Sequence, residues 1–253
     1  MVNNISSAKM LSEFLGTFIL ATSIEFITVY DLGTQISSLF AILAGFFIAI
    51  TLSREISGGH INPGVTVTVY LSEEQANIKD EISSSLWMYI IAQASGAISA
   101  ALIGLMIYNE NIFKLAPSPR STGLEILVLE IIGSTVFYSL ILIQGDKDAR
   151  LNNDKTISTL SITAGLAAGI AFSGNISGAC LNPALGFAFN FSRLLITGNM
   201  DECKFLWAYV LGPFTASYLA SYFYLNVYRK YFIIENSDEK IKPLMEYNCY
   251  EKM

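Results

Sequence analysis

The chain has 253 residues, of which 53% are hydrophobic and only 14% are charged, and its formal net charge is −6. A soluble domain carries about a quarter charged residues, so this composition argues against an ordinary soluble protein. The acidic residues lie mostly in loops and in the C-terminal segment ENSDEK, and the sequence has no basic patch for nucleic acid. One histidine and three cysteines without metal-ligand spacing predict no metal centre and no cofactor.

Six apolar blocks follow one another along the chain, separated by short polar segments. Most of them approach the ~20 residues that a helix needs to cross a bilayer, although the second and fifth are short. The first block is too long for a removable signal peptide and lacks a small-residue cleavage site. The blocks, each predicted to be a transmembrane helix, are Met10–Tyr30, Ile36–Leu52, Leu86–Tyr108, Leu124–Ile143, Ile157–Phe172 and Phe205–Tyr228.

The second half of the chain repeats two landmarks of the first half. Glu13 in SEFLGTFIL and Glu130 in LEIIGSTVF are 117 positions apart, and each is followed three residues later by glycine. Asn62 in SGGHINPGVT and Asn182 in SGACLNPALG are 120 positions apart. These nearly equal offsets indicate a duplication. Because each half holds an odd number of spans, the second half must enter the membrane from the opposite side, which gives an inverted repeat.

The two Asn-Pro pairs lie in apolar surroundings, where each predicts the start of a helix. Asparagine is a strong N-cap, and proline suits the first helical position. The apolar runs that follow, Gly64–Leu71 and Ala184–Ile196, are too short to span a bilayer but long enough for half-helices. The extended segments before them are tolerated at membrane depth only where they are buried in protein or line a water-filled cavity.

These features predict an all-α membrane protein with six transmembrane helices, two re-entrant half-helices and an inverted repeat. The channel domain would cover 9–228, with repeats over about 9–108 and 124–228. Eleven of the fifteen Lys and Arg residues fall on the side of the N-terminus, so both termini are predicted to be cytosolic. Residues 1–8 would form a cytosolic N-terminus, and 229–253 a polar cytosolic tail.

Several motifs resemble those of the aquaporin, or major intrinsic protein, family, and they cover about residues 9–228. They are EFLGT from Glu13, SGGHINPGVT from Ser57, AQ and GA within AQASGA from Ala92, SGACLNPA from Ser177, and Gly212-Pro213. The resemblance implies a homotetramer in the lipid bilayer, in which each subunit has its own pore for water and small neutral solutes. The residues implied at the pore centre are Asn62, Pro63, Gly64, Asn182, Pro183 and Ala184.

The resemblance also implies roles for residues around the pore. Glu13 and Glu130 lie within apolar spans, where a charge is costly, and would accept hydrogen bonds that hold the re-entrant segments. The half-helix N-termini carry partial positive charge, so they would repel cations and orient passing water. Backbone carbonyls would form ladders of hydrogen-bond acceptors opposite an apolar wall. These carbonyls belong to Gly58, Gly59, His60, Gly178, Ala179 and Cys180.

The selectivity filter departs from the family pattern. In most of the family an arginine follows the second Asn-Pro-Ala, and here that position is Leu185. Counted from the asparagines, the other filter positions fall at Ile42, Ile170 and Ala179, so the predicted filter has no charge, no hydrogen-bond donor and no aromatic ring. The first motif also ends in Gly64 rather than alanine, a change that a requirement for a small residue would permit.

Taken together, the residues predict a passive channel, not an enzyme, for water or small uncharged solutes such as glycerol, urea, ammonia or hydrogen peroxide. Two effects of the apolar filter compete. It could dewet and slow water, or the loss of the large arginine could widen it for bigger solutes. The positions that separate glycerol channels from water channels in the family leave this choice open. The alternative function is a structural or adhesive membrane protein with a closed pore.

Overall fold

A computed structural model of the chain describes residues 2–29, 35–75, 82–109, 112–146, 150 and 152–234. Throughout these residues the regular secondary structure is helical. A short 3₁₀-helix at Met200–Cys203 precedes the last α-helix, and a π-helix at Tyr224–Ile234 continues it. The α-helices are α1 (Val2–Val29), α2 (Gln35–Ser57), α3 (Pro63–Gln75), α4 (Ile82–Tyr108), α5 (Gly123–Gly145), α6 (Lys155–Ser177), α7 (Pro183–Thr197) and α8 (Leu206–Phe223).

Six of these helices are long, and two are short. α3 and α7 have 13 and 15 residues, fewer than the ~20 that a bilayer span requires. Of the long helices, α1 carries the acidic residues Glu13 and Glu25, and α8 has 18 residues before the π-helix. Within the described residues, four helices are long and apolar enough to cross a membrane by themselves, and these segments are Ser38–Ser57, Ser85–Tyr108, Gly123–Gly145 and Lys155–Ser177.

Helices α2 and α6 continue about one turn beyond the apolar blocks that predict them. They end at Ser57 and Ser177, and both serine side chains are buried. The reason is a hydrogen bond from each serine hydroxyl to a buried carboxylate, to Glu13 at 2.6 Å and to Glu130 at 2.7 Å. Each helix therefore continues past the end that hydropathy predicts, because its last serine has a buried carboxylate as hydrogen-bond partner.

The two halves of the chain pack as an inverted pair. α1 packs against α2 and α4 as α5 packs against α6 and α8. Half-helix α3 lies against α8, and half-helix α7 against α4, so each half holds the half-helix of the other. A Cβ atom on Gly96 would lie 2.4 Å from the carbonyl oxygen of Phe14, and one on Gly212 would lie 2.7 Å from Cβ of Glu130. Glycine therefore lets α4 and α8 approach their partners closely, as small residues do between membrane helices.

The bundle has two ends, which we name by the residues they contain. The inner end contains Arg54 at the end of α2 and Lys155 at the start of α6, which are joined by a hydrogen bond. The outer end contains Lys114 and Arg193, which both contact Glu202. α3 runs from the centre towards the inner end, and α7 runs from the centre towards the outer end.

The regions that flank the predicted channel domain are partly helical. α1 begins at Val2, so residues 2–8 are its first turns rather than a separate segment. After α8 the π-helix is anchored at the inner end, where Nε of Arg229 lies 3.6 Å from Oδ2 of Asp146. The rest of the predicted tail, 235–253, lies outside the described residues.

Candidate functional site

The two asparagines meet at the centre of the bundle. Oδ1 of Asn62 and Oδ1 of Asn182 each accept a hydrogen bond from the backbone N–H two residues later, at 2.8 and 3.0 Å, and so cap α3 and α7. Each side chain also reaches the opposite re-entrant segment. Nδ2 of Asn62 donates to the carbonyl of Leu181 at 2.8 Å, and Nδ2 of Asn182 donates to that of Ile61 at 3.1 Å. Since an amide carries two hydrogens, each asparagine keeps one for the cavity that both line.

Each re-entrant segment is held by one buried glutamate from the first helix of its half. Glu13 accepts two backbone N–H groups of the first segment, at 3.0 and 2.6 Å, and the side-chain amide of Gln93 at 2.7 Å. Glu130 accepts two backbone N–H groups of the second segment, at 3.0 and 2.8 Å. Both carboxylates are fully buried. The backbone donors are His60 and Ile61 to Glu13, and Cys180 and Leu181 to Glu130.

The segments need this support because their backbone is strained. Ile61 has a φ of 45° and Leu181 a φ of 51°, values in the left-handed region that bulky residues rarely adopt. Such a conformation costs about 1–3 kcal/mol per residue and persists only where surrounding contacts fix it. Both strained residues donate their N–H group to a buried carboxylate. The glutamates therefore stabilise a conformation in which the asparagines face each other.

Tyr138 of α5 also contacts Asn62, a contact that the sequence does not predict. Its hydroxyl lies 3.3 Å from Oδ1 of Asn62 and donates to the carbonyl of Leu181 at 2.9 Å, and the ring is fully buried. A Cβ atom on Gly64 would lie only 2.1 Å from this hydroxyl oxygen. The glycine of the first motif is therefore required by Tyr138. The interpretation that any small residue suffices there does not account for this contact.

The four predicted filter residues line one cavity in the outer half of the bundle. This cavity has a volume of about 90 Å³ and contacts both asparagines. Leu185 is buried, whereas the other three filter residues are half-buried. The carbonyl-bearing residues of the second segment line the same cavity. The filter residues are Ile42, Ile170, Ala179 and Leu185, and the segment residues are Gly178, Ala179 and Cys180.

A second, smaller cavity lies in the inner half and contacts the first re-entrant segment. Its volume is about 70 Å³, and Gly58, Gly59 and His60 line it. Nδ1 of His60 lies 3.2 Å from the hydroxyl of Thr66, so this ring braces the segment on α3. The predicted pore residues thus separate into an outer and an inner group. Four of the predicted pore-centre residues line neither cavity, namely Pro63, Gly64, Pro183 and Ala184.

Two further sets of buried polar contacts were not predicted from the sequence. Tyr89 of α4 and Tyr209 of α8 donate to the carbonyls of Ser57 and Ser177, at 2.7 and 2.6 Å. These tyrosines occupy equivalent places in the two halves, so a full alignment of the repeats would have found them. The other set is the contact of Glu25 described next.

Glu25 fixes the loop that closes the outer cavity. This carboxylate in α1 is fully buried, and its Oε2 atom accepts the backbone N–H of Phe113 at 2.9 Å. Phe113 lines the outer cavity and packs edge-on against Phe189 of α7, with ring centroids 4.8 Å apart. An acid within an apolar span is costly, which is the sequence signal for Glu25. The repeat does not reinforce this signal, because Glu25 has no acidic counterpart in the second half.

Six long helices, two half-helices that start at the centre of the bundle, and two capping asparagines that line one cavity are the features of a passive membrane channel. The model of the family described as "Major intrinsic protein" matches residues 2–224, and the chain belongs to that family. Membership confirms the predicted family, the aquaporin-like fold and the prediction that the protein is not an enzyme.

Individual relatives are distant but cover most of the chain. The protein named "Aquaglyceroporin" of Toxoplasma gondii is 24% identical over 220 residues, which is 87% of this chain and 79% of the relative. "Glycerol uptake facilitator protein-like 6" of Lactiplantibacillus plantarum is 29% identical over 224 residues, which is 85% of this chain and 95% of the relative. "Aquaporin TIP2-3" of Arabidopsis thaliana is 28% identical over 187 residues, which is 72% of this chain and 68% of the relative.

A solved structure has the same fold. The X-ray structure of the aquaglyceroporin from Plasmodium falciparum matches with a TM-score of 0.71 at 22% identity, and the match covers 88% of this chain and 96% of that one. At this identity the match supports the fold and leaves the transported solute open.

Proposed function

We propose that this protein conducts water and small uncharged solutes through a pore that passes between Asn62 and Asn182. The observation that carries the proposal is the reciprocal asparagine pair, in which each side chain caps one half-helix and bonds to the opposite segment. Two half-helix N-termini that meet at the centre of the bundle suit a pore, because their partial positive charges repel cations while the amide hydrogens hold the oxygen of a passing solute.

The walls on either side of the asparagines suit a solute that crosses partly dehydrated. Carbonyls of the two re-entrant segments would replace some of its hydrogen bonds, while the opposite wall is apolar. In the outer cavity that wall includes Leu20, Phe46 and Leu166. Acceptors on one side and hydrocarbon on the other favour neutral molecules with several donor groups, such as water, urea or glycerol.

The outer filter would be an arginine-free ring formed by Ile42, Ile170, Ala179 and Leu185. Without an arginine side chain in this ring, we propose that solutes of glycerol size pass together with water. The names of two relatives, an aquaglyceroporin and a glycerol uptake facilitator-like protein, support this choice. The same apolar ring is the one observation that favours a closed, structural protein, since it offers water no hydrogen-bond partner.

The proposed membrane orientation and assembly are supported by the sequence alone. The excess of Lys and Arg on the side of the N-terminus supports a cytosolic inner end, with both termini in the cytosol. The resemblance to the family supports a homotetramer of independent pores.

Stopped-flow light scattering on proteoliposomes tests the function directly. The purified full chain should accelerate shrinkage under an impermeant osmolyte and re-swelling under glycerol and urea, relative to empty vesicles. The matched variant Asn62→Asp/Asn182→Asp keeps a capping oxygen at both positions but replaces the donors with carboxylates, and we expect it to lose most of this flux. If the wild-type chain, inserted and folded, leaves both water and solute flux at the level of empty vesicles, the channel function is wrong and the closed-pore alternative stands.

A further inference from the structure

Within the inner half of the bundle, the inverted repeat places a second apolar ring that mirrors the outer filter. Shifting the outer filter positions by the 120-residue offset of the asparagines gives four equivalent residues. All four line the inner cavity of about 70 Å³. The inner ring consists of Ile50, Gly59, Val65 and Ile162.

One residue breaks this symmetry by its charge. Arg54 lines the inner cavity and also the wide vestibule of about 590 Å³ at the inner end, so it lies where the narrow passage opens. The equivalent position in the second half is Gly174, beside the outer filter. Among the described residues that line the inner cavity, Arg54 is the one carrying a full charge.

Contacts with α6 hold the guanidinium at this opening. Nη1 of Arg54 donates to the carbonyl of Lys155 and to the hydroxyl of Thr159, both at 3.3 Å, and Nη2 donates to the hydroxyl of Ser158 at 3.0 Å. These hydrogen-bond acceptors are neutral oxygens, and the nearby carboxylates of Glu55, Glu73 and Asp146 line the wide vestibule rather than the inner cavity. The nearby side chain of Lys155 instead forms an exposed ion pair with Glu55 at 2.8 Å.

We propose that Arg54 determines charge selectivity in this channel, placing at the inner opening the cationic, hydrogen-bond-donating wall that the outer ring lacks. The proposal rests on the proposed channel function. A fixed positive charge beside a narrow, poorly hydrated passage raises the barrier for any cation, including the hydrated proton, and leaves a neutral solute free to pass. The asparagine pair and Arg54 then act in series, one at the centre and one at the inner opening.

Measurements of proton and potassium leak test this role. They use proteoliposomes that contain the full chain. A pH-sensitive dye reports proton entry under an imposed gradient, and water flux measured on the same vesicles normalises the number of open pores. We expect Arg54→Leu to raise the cation leak per unit of water flux on the order of tenfold, because a unit positive charge beside the narrow passage is removed. Arg54→Lys should keep most of the exclusion, because it keeps the charge.

Two matched variants separate charge selectivity from a structural bridge between α2 and α6. Lys155→Leu removes a positive charge at the same end but outside the inner cavity, and its backbone carbonyl remains for Arg54, so its leak should equal that of the wild type. Arg54→Gly/Gly174→Arg moves the charge to the outer filter, where a Cβ atom on Gly174 meets nothing closer than 3.8 Å. This exchange should restore cation exclusion relative to Arg54→Gly alone, although the bridge to α6 is lost.

The outcomes distinguish the two proposals. If the wild type conducts water or glycerol while Arg54→Leu remains as tight to cations as the wild type, the role of Arg54 is overturned and the channel function survives. An equal rise in leak for Lys155→Leu would also overturn it, since the effect would then belong to surface charge. If the wild type conducts nothing, both proposals fall together.

Discussion

Replacing Gly64 with alanine should destabilise this protein, even though alanine is the residue found at the equivalent place of the second motif, at Ala184. The new methyl group would lie 2.1 Å from Oη of Tyr138 and within 2.9 Å of two of its ring carbons. Carbon atoms in good contact lie about 3.5–4.0 Å apart. The tyrosine ring must therefore move, and its hydroxyl would leave Asn62 and Leu181.

The size of the effect can be estimated from these contacts. Overpacking a dense core site costs about 1–3 kcal/mol, and losing the one hydrogen bond that the hydroxyl donates costs about 1 kcal/mol. Alanine recovers at most about 1 kcal/mol through its higher helix propensity. We therefore expect Gly64→Ala to lower the free energy of unfolding by about 1–3 kcal/mol.

Unfolding of the purified protein in detergent, followed by intrinsic fluorescence, measures this change. The control is Gly174→Ala, whose methyl group meets only ordinary contacts at 3.8 and 3.9 Å and should cost nothing. In a Tyr138→Leu background the obstructing hydroxyl is absent, so adding Gly64→Ala should have little further effect. The reasoning is refuted if Gly64→Ala unfolds like the wild type, or if it is equally costly with and without the Tyr138 ring.

Three other changes address the filter and the loop supports. Leu185→Arg should lower glycerol flux more than water flux by narrowing the outer cavity, and an unchanged ratio in stopped-flow assays would place Leu185 away from the constriction. Glu130→Gln should destabilise by about 2–4 kcal/mol in the same unfolding assay, because an amide group would face backbone donors that need an acceptor. Glu55→Gln, in an exposed ion pair, should unfold like the wild type. Glu25→Leu should speed amide hydrogen exchange at Phe113, whereas Glu25→Gln should not, and equal protection in both variants would argue against the proposed loop anchor.

Much of the fold could be predicted from the sequence because its signals are local or repeated. Hydrophobic blocks of membrane length indicate the long helices, since a bilayer imposes both length and composition. Asn62-Pro63 and Asn182-Pro183 identify the half-helices, since capping and proline act within a few residues. The offset between equivalent motifs establishes the inverted repeat. Contacts between segments that are distant along the chain produce no local or repeated pattern in a single sequence.

Tertiary structure alone decided how the pore is stabilised and where a charge lies along it. Tyr138 and Gly64 are separated along the chain, yet the size of one fixes the identity of the other. Glu25 binds a loop whose position hydropathy does not predict. From the sequence, Arg54 is recognisable only as a positive charge near the end of a helix. Its position at the opening of the inner cavity depends on how α2 crosses α6. The sequence by itself therefore determines the class of protein, because membrane burial and helix capping are short-range constraints. Selectivity depends on which side chains the packed helices bring to the same narrow passage, and packing determines that.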